Sequence, residues 1–160
     1  MGPNWQANDA INFKLNPMWR YALDCYQNTD TQQALLTSQD NLGLNVNALL
    51  WFGYLAQQHL SATAHGKADL EQWHLRHTAP IRSLRRRLKQ VKHLGLYPYI
   101  LNLELLSEFL EQCQLVQSHH YKHGTDNKKM CFQASLMAWD YKVGTKELQT
   151  LLKGLQLDSD

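Results

Sequence analysis

The sequence predicts an all-α protein, an irregular bundle of about six or seven helices around a central apolar helix at residues 46–61. Apolar residues recur at steps of three and four along most of the chain, which is the spacing of one helix face. No segment alternates apolar and polar residues with the period of two that is typical of a half-buried strand. Asn, Pro and Gly stand between the periodic segments, where helices begin and end. These observations favour helices packed against helices.

The helix ends are best defined in the first third of the chain. Pro17 follows Asn16, which suits a helix with an asparagine cap and a proline in its first position. A second helix is expected at about 29–41. Gly43 can adopt the left-handed conformation that ends this helix, and Asn45 can cap the third. Because the third helix is apolar nearly all round, we expect it at the centre of the bundle.

The remainder of the chain is also expected to be helical. Four further helices are predicted at about 67–93, 98–121, 127–142 and 145–155. Pro80 is expected to bend the first of these, and Leu84 and Leu88 are expected to face the core. The inward residues of the second are predicted to be Ile100, Leu103, Leu106, Leu110 and Cys113.

Length and composition indicate one folded domain. The chain has 160 residues, of which 44% are apolar and 19% charged, as in soluble globular proteins. We expect a loose N-terminal arm at 1–15, a single helical domain at 16–156 and a tail at 157–160. The N-terminus does not resemble a signal peptide, and the longest apolar run, ALLWFGYLA, is too short to cross a bilayer. The three cysteines are widely spaced, which favours free thiols and a cytoplasmic location.

A basic segment, PIRSLRRRLKQVK, begins at Pro80. Residues 72–103 contain seven Lys or Arg and no acid, although the net charge of the whole chain is only +2. One side of the predicted helix carries a cationic ridge formed by Arg82, Arg85, Arg86, Lys89 and Lys92. Such a ridge can bind an anionic partner, either an acidic protein or a nucleic-acid backbone.

The same charges have an internal alternative. The next helix returns after a short turn, and Glu104, Glu108 and Glu111 follow one another on it at steps of four and three. Ion pairs between the two helices would then neutralise part of the ridge. The sequence leaves open which of the two roles the arginines have.

A polar corner lies between the second and third helices. Once Asn45 is assigned to capping, Asp40 and Asn47 remain, and Asn47 begins a helix face that continues with Trp51. This face could line a small-molecule pocket. The alternative is that Asp40 and Asn47 hydrogen-bond to nearby backbone amides.

Motifs for catalysis and metal binding are sparse. His119 and His123 have the four-residue spacing of zinc ligands, but neither Cys113 nor Cys131 has a second cysteine at metal-site spacing, so solvated histidines are the favoured interpretation. The sequence contains no glycine-rich phosphate loop, nucleophile elbow or metalloprotease motif. We therefore expect no cofactor, no metal and no catalytic residue, and a non-enzymatic role is favoured.

Three blocks of the chain resemble a known family. They are PMWRYALDCY at 17–26, LLTSQDNLGLNVNALLWFGYLA at 35–56 and WHLRHTAPIRSLRRRLK at 73–89. Together they resemble the proteobacterial family of helical proteins called domain of unknown function 2390. The sequence departs from the family pattern at Asn45, where aspartate is usual, and at Ile81, where leucine is usual. The resemblance implies a helical fold and a bacterial cytoplasmic protein, but no reaction.

The resemblance also implies that the polar corner and the basic helix share one motif, because Asp40, Asn47, Arg82 and Arg85 all match it. Three hypotheses follow. The first is a non-enzymatic binding or adaptor protein that contacts an anionic partner through the cationic ridge. The second is a small-molecule or enzymatic pocket formed by Asp40, Asn47, Trp51, Arg76 and Arg82. The third is a homodimer or larger homo-oligomer in which the basic helix is purely structural.

Overall fold

The computed structural model describes residues 16–90 and 95–158. The described helices are α1 (Pro17–Gln27), α2 (Thr29–Leu42), α3 (Val46–Gln57), α4 (Gly66–Trp73), a π-helical turn (His74–Thr78), α5 (Ala79–Gln90), α6 (Tyr97–Gln117), α7 (Lys128–Ala138) and α8 (Thr145–Gly154). The π-helical turn joins α4 and α5 without a break, so these ranges contain seven separate helical rods. The predicted all-α class with about seven helices is confirmed. The expected N-terminal arm at 1–15 lies outside the described residues.

The predicted helix caps are present. Asn16 accepts a hydrogen bond from the backbone N–H of Trp19 at 3.1 Å, and Pro17 follows it as the first helical residue. Gly43 ends α2 with a φ of 65°, which lies in the left-handed region that glycine adopts without a steric penalty. Asn45 then caps α3 through the backbone N–H of Ala48. These short-range bonds fix the corner between α2 and α3.

The core surrounds α3, as predicted. Trp51 and Phe52 are fully buried and contact Trp139, with ring centroids 5.8 and 5.0 Å apart. The helix is shorter than the expected 46–61, because β1 (Leu60–Ala62) follows it and pairs antiparallel with β2 (Tyr121–His123). Each strand has only three residues, which is too short to produce a recognisable period-two pattern.

The orientation of α6 differs from the prediction. Leu103, Leu106 and Leu110, expected to face inward, are 48%, 41% and 37% exposed. The buried face instead carries Glu104 and Glu111, among other polar residues. This face is buried because partners from other elements meet it, arginines of α5 at Glu104 and polar groups of α3 and the π-helical turn at Glu111.

The burial of α5 also differs from the prediction. No residue of α5 is buried, and Leu84, expected in the core, is 45% exposed. A π-helical turn at His74–Thr78 directly precedes α5, and Pro80 is the second residue of α5. Pro80 has no N–H to donate to the preceding turn, which favours an irregular helix at this point.

Among the described residues, no helix is both long enough and apolar enough to span a membrane.

Candidate functional site

A cleft of about 810 Å³ lies between helices α1 to α3 on one side and α4 to α6 on the other. Trp19, Ala22 and Tyr26 line it from one face of α1, and Leu44 and Leu50 extend this apolar wall. Small-molecule pockets typically enclose roughly 300–1,000 Å³ and combine apolar walls with a few fixed polar groups. The volume and this apolar wall therefore suit a small organic molecule.

The opposite wall carries an ion network between α5 and α6. Arg82 donates from Nε to Glu104 Oε1 at 2.9 Å and from Nη2 to Glu108 Oε1 at 2.6 Å. Arg85 donates to both carboxylate oxygens of Glu104. The side chain of Arg82 is 17% exposed and that of Glu104 is 5% exposed. Arg82 and Glu104 are therefore largely shielded from water, and the hydrogen bonds of the network hold these charged side chains in place.

The two acids of this network have pKa values shifted in opposite directions. Burial opposes ionisation of Glu104, but hydrogen bonds from Arg85 and Arg82 outweigh it and lower the pKa. At Glu108 burial prevails over the attraction of Arg82, and the neighbouring acids Glu104 and Glu111 add to it, so the pKa is raised. Glu108 is therefore the more easily protonated of the two.

Tyr26 lies beside this network on the apolar wall. Burial, reinforced by the charge of Glu108, raises the pKa of Tyr26 to about 12. The phenol remains protonated at neutral pH and is available as a hydrogen-bond donor.

The inner end of the cleft is built around Glu111, which is completely buried. His74 Nδ1, in the π-helical turn, lies 3.0 Å from Glu111 Oε1. Asn47 donates from Nδ2 to Glu111 Oε2, and Gln112 Nε2 donates to Asn47 Oδ1 at 3.0 Å. These contacts join α3, α6 and the π-helical turn in one polar cluster. π-Helical turns are frequent at functional sites.

Three of the five residues expected to form a pocket do line this cleft. They are Asp40 at an exposed position, Asn47 at the buried end and Arg82 on the charged wall. Trp51 does not, because it is fully buried in the core against Phe52 and Trp139. Arg76 lines a different depression, with Trp73 and His77.

The predicted cationic ridge is divided by the fold. Arg82 and Arg85 turn toward α6 and pair with its acids. Arg86 is exposed and lines the cleft, and Lys89 is exposed. Lys92 lies outside the described residues. Of the three acids whose role was left open, Glu104 and Glu108 neutralise arginines, whereas Glu111 does not.

The histidine pair and the cysteines lie away from the cleft. His119, in the turn after α6, has its Nδ1 2.7 Å from the carbonyl oxygen of Gln117, and His123 is in β2. Within residues 16–90 and 95–158, no three His, Cys, Asp or Glu side chains are grouped as metal ligands. The cysteines are free and buried.

Sequence reasoning did not assign His74 and Gln112 to a site. His74 is one of eight histidines, and Gln112 belongs to a helix whose burial was predicted for the opposite face. One signal was available, because Glu104, Ser107 and Glu111 recur at steps of three and four, as a buried face does. This signal was hidden because Leu103, Leu106 and Leu110 on the same helix have the same spacing.

A comparison with known families covers this region of the chain. The family described as "Protein of unknown function (DUF2390)" matches residues 17–115 of the 160, more than half of the chain. This protein belongs to that family. The match extends from the start of α1 through most of α6, and it contains every residue that lines the cleft except Tyr141. No curated protein matches the chain, and no solved structure matches it.

Proposed function

We propose that this protein binds a small organic molecule in the cleft between α1 and α6. The observation that carries the proposal is that a wall of apolar side chains faces a polar wall whose groups are already held in place by one another. Asp40, Asn47 and Arg82, which the sequence placed in one candidate pocket, all line this cleft. The family match covers both walls.

The energetic cost of the polar wall supports a role beyond stability. Glu104, Glu111 and Gln112 are at most 4% exposed. Replacing buried ion pairs with well-packed apolar residues is often neutral or stabilising, by about 1–4 kcal/mol. The same wall carries Glu104 and Glu108, whose pKa values are shifted in opposite directions, and shifted pKa values cluster at functional sites.

Fluorescence titration with N-phenyl-1-naphthylamine, a neutral apolar dye that brightens in apolar surroundings, tests the proposal. Leu105 and Leu106 are adjacent on α6 and 42% and 41% exposed, but only Leu105 lines the cleft. We expect saturable binding of one dye molecule, weakened in Leu105→Trp because the indole occupies part of the cleft, and kept in Leu106→Trp. Absent binding, or equal binding by both variants, would contradict the proposal.

A second candidate is contact with an anionic partner, acidic protein or nucleic acid, through α5. Internal pairing of Arg82 and Arg85 reduces the proposed contact surface to Arg86, Arg87 and Lys89 among the described residues. These three are exposed, and no acidic side chain of the described ranges lies within salt-bridge distance of them. Uncompensated charge of this kind favours an anionic partner.

Fluorescence anisotropy with labelled RNA, labelled DNA and a poly-glutamate peptide tests this second candidate. We expect binding by at least one of them that weakens steeply with salt and is lost when Arg87 and Lys89 are both changed to Glu. Arg20→Glu, an exposed position on α1, is the control. If none binds at low salt, the second candidate fails.

We also propose a cytoplasmic setting, supported by the three buried free thiols.

A further inference from the structure

The hydrogen bonds at the inner end of the cleft determine which atom each amide presents. A carboxylate only accepts hydrogen bonds, so Asn47 must direct its Nδ2 group to Glu111. Its Oδ1 atom is then directed to Gln112, whose Nε2 group donates to it at 3.0 Å. The orientation of Gln112 is therefore fixed by Glu111, through Asn47.

This chain of bonds leaves one acceptor without a partner. Gln112 lines the cleft and is 1% exposed, and its Oε1 atom is buried without a hydrogen bond. An unsatisfied buried polar atom costs about 1–3 kcal/mol. Reversing the amide would not help, because Oε1 would then oppose the Oδ1 atom of Asn47 and Nε2 would have no acceptor. Oε1 has almost no accessible surface as it stands, so a donor in the cleft would remove this cost once the Gln112 side chain turns to meet it.

The charge around the cleft also favours a cationic group. Five carboxylates line it, those of Asp40, Glu71, Glu104, Glu108 and Glu111. Three guanidinium groups also line it, those of Arg82, Arg85 and Arg86. With Glu104 and Glu108 bonded to two of the arginines, the carboxylate of Glu111 is held by the imidazole of His74 and the amide of Asn47. Glu71 pairs with Lys67 and Asp40 is exposed, so Glu111 is the buried carboxylate of this lining that has no Lys or Arg partner among the described residues.

We propose that the ligand of this cleft is an alkylamine, whose protonated head donates a hydrogen bond to Gln112 Oε1. This inference rests on the proposed small-molecule function. An ammonium group carries three donors and no acceptor, which matches an amide oxygen that has no hydrogen-bond partner. The alkyl part would lie on the apolar wall, against Trp19, Ala22 and Leu50. An anionic head would approach the buried carboxylate of Glu111, and a purely apolar ligand would leave Gln112 unsatisfied.

Displacement of N-phenyl-1-naphthylamine by three ligands with the same six-carbon chain tests the head group. The ligands are hexylamine, 1-hexanol and hexanoate, compared at pH 7, where an alkylamine is protonated because its pKa is close to the value of about 10.4 for lysine. We expect hexylamine to displace the dye at a concentration about tenfold lower than 1-hexanol, since hydrogen bonds to charged groups are the stronger ones. Hexanoate should be the weakest of the three.

A pair of variants tests the assigned atom. Gln112→Met keeps the length of the side chain but removes the acceptor, so we expect the preference for hexylamine over 1-hexanol to fall at least about fivefold. Gln114→Met is the matched control, since Gln114 is exposed on the same helix and does not line the cleft. Thermal unfolding of both variants establishes that they are folded. The comparison of three ligands on the unchanged protein remains decisive if Gln112→Met does not fold.

The outcomes separate the two proposals. If the dye does not bind in the cleft, the small-molecule function itself fails. If it binds but the three ligands displace it equally, or hexanoate is the strongest, the amine is wrong while the cleft remains a binding site. If Gln112→Met keeps the full preference for hexylamine, Gln112 Oε1 does not receive the ammonium group, and the inference is overturned.

Discussion

One face of α6 buries Glu104, Glu111 and Gln112, whereas another face exposes Leu103 and Leu106 to solvent. A surface helix ordinarily has the reverse arrangement, with its apolar stripe turned toward the core. The difference cannot be attributed to helix propensity, because both faces belong to the same continuous helix. It arises from what lies opposite each face.

The buried face meets groups that satisfy it. Arg82 and Arg85 reach it from α5, Asn47 reaches it from α3, and Thr78 bonds to Ser107 with 2.8 Å between the two hydroxyl oxygens. Desolvating these acids is costly, and the contacts only offset that cost. The interior of this protein therefore contains a polar cluster next to the cleft as well as the apolar core around α3.

The largest expected effect is at the most buried acid. Glu111→Ala removes the partner of Asn47 and His74 and leaves a cavity, so we expect the free energy of unfolding to fall by about 3 kcal/mol. Leu110→Ala, one residue earlier, changes a side chain that is 37% exposed and should cost no more than about 1 kcal/mol. Urea unfolding of both variants makes the comparison. Equal losses would mean that the buried polar face of α6 and its exposed apolar face contribute equally to the free energy of unfolding.

Glu104→Gln should produce the next largest effect, about 2 kcal/mol at neutral pH, because it removes the charge that Arg82 and Arg85 share. The pKa of Glu104 is lowered from 4.5 in the folded state. Its stabilising contribution is therefore complete above 4.5 and is lost as the pH falls through the lower folded value. Unfolding free energies measured from pH 7 down to pH 3 should show the wild type and the variant converging.

The control for that prediction is Glu71→Gln. Glu71 is exposed, and its carboxylate lies 3.8 Å from Lys67 Nζ in an ordinary surface pair. Such pairs contribute at most about 1 kcal/mol. A loss at Glu71 as large as the loss at Glu104 would show that burial of the network is not the source of its effect.

The local features of the fold were predictable from the sequence, because the residues that determine them are adjacent in the chain. Asn16, Gly43 and Asn45 specify their helix ends through bonds that span three to five residues. The apolar run of α3 likewise identified the centre of the core.

The orientation of α6 was not predictable in the same way. Its apolar and polar residues both recur at steps of three and four, so periodicity could not decide which face is buried. The deciding contacts, from Arg82 to Glu104 and from Asn47 to Gln112, span 22 and 65 residues. The site shares this property, since Arg82 could be grouped with Asp40 and Asn47 only through the family resemblance.

A smaller effect, no more than about 1 kcal/mol at pH 7, is expected for Glu108→Gln, since a glutamine oxygen can still accept from Arg82. Its dependence on pH should have the opposite sign to that of Glu104→Gln. The pKa of Glu108 is raised by burial, so its contribution to stability is present below the unfolded pKa and is lost as the pH rises through the higher folded value. The variant should therefore gain stability relative to the wild type as the pH increases. Parallel curves for Glu104→Gln and Glu108→Gln would refute the opposite pKa directions assigned to the two carboxylates.

The smallest effect is expected on the exposed face. Changing Leu103 and Leu106 together to Ser removes apolar surface that is 48% and 41% exposed, and each substitution at such a position should alter the unfolding free energy by no more than about 0.5 kcal/mol. Urea unfolding at two protein concentrations measures this change and also detects association between copies. A loss above about 2 kcal/mol at both concentrations would mean that another part of the chain covers this face. A loss that appears only at the higher concentration would instead indicate the homodimer that the sequence left open, because stability linked to association depends on protein concentration.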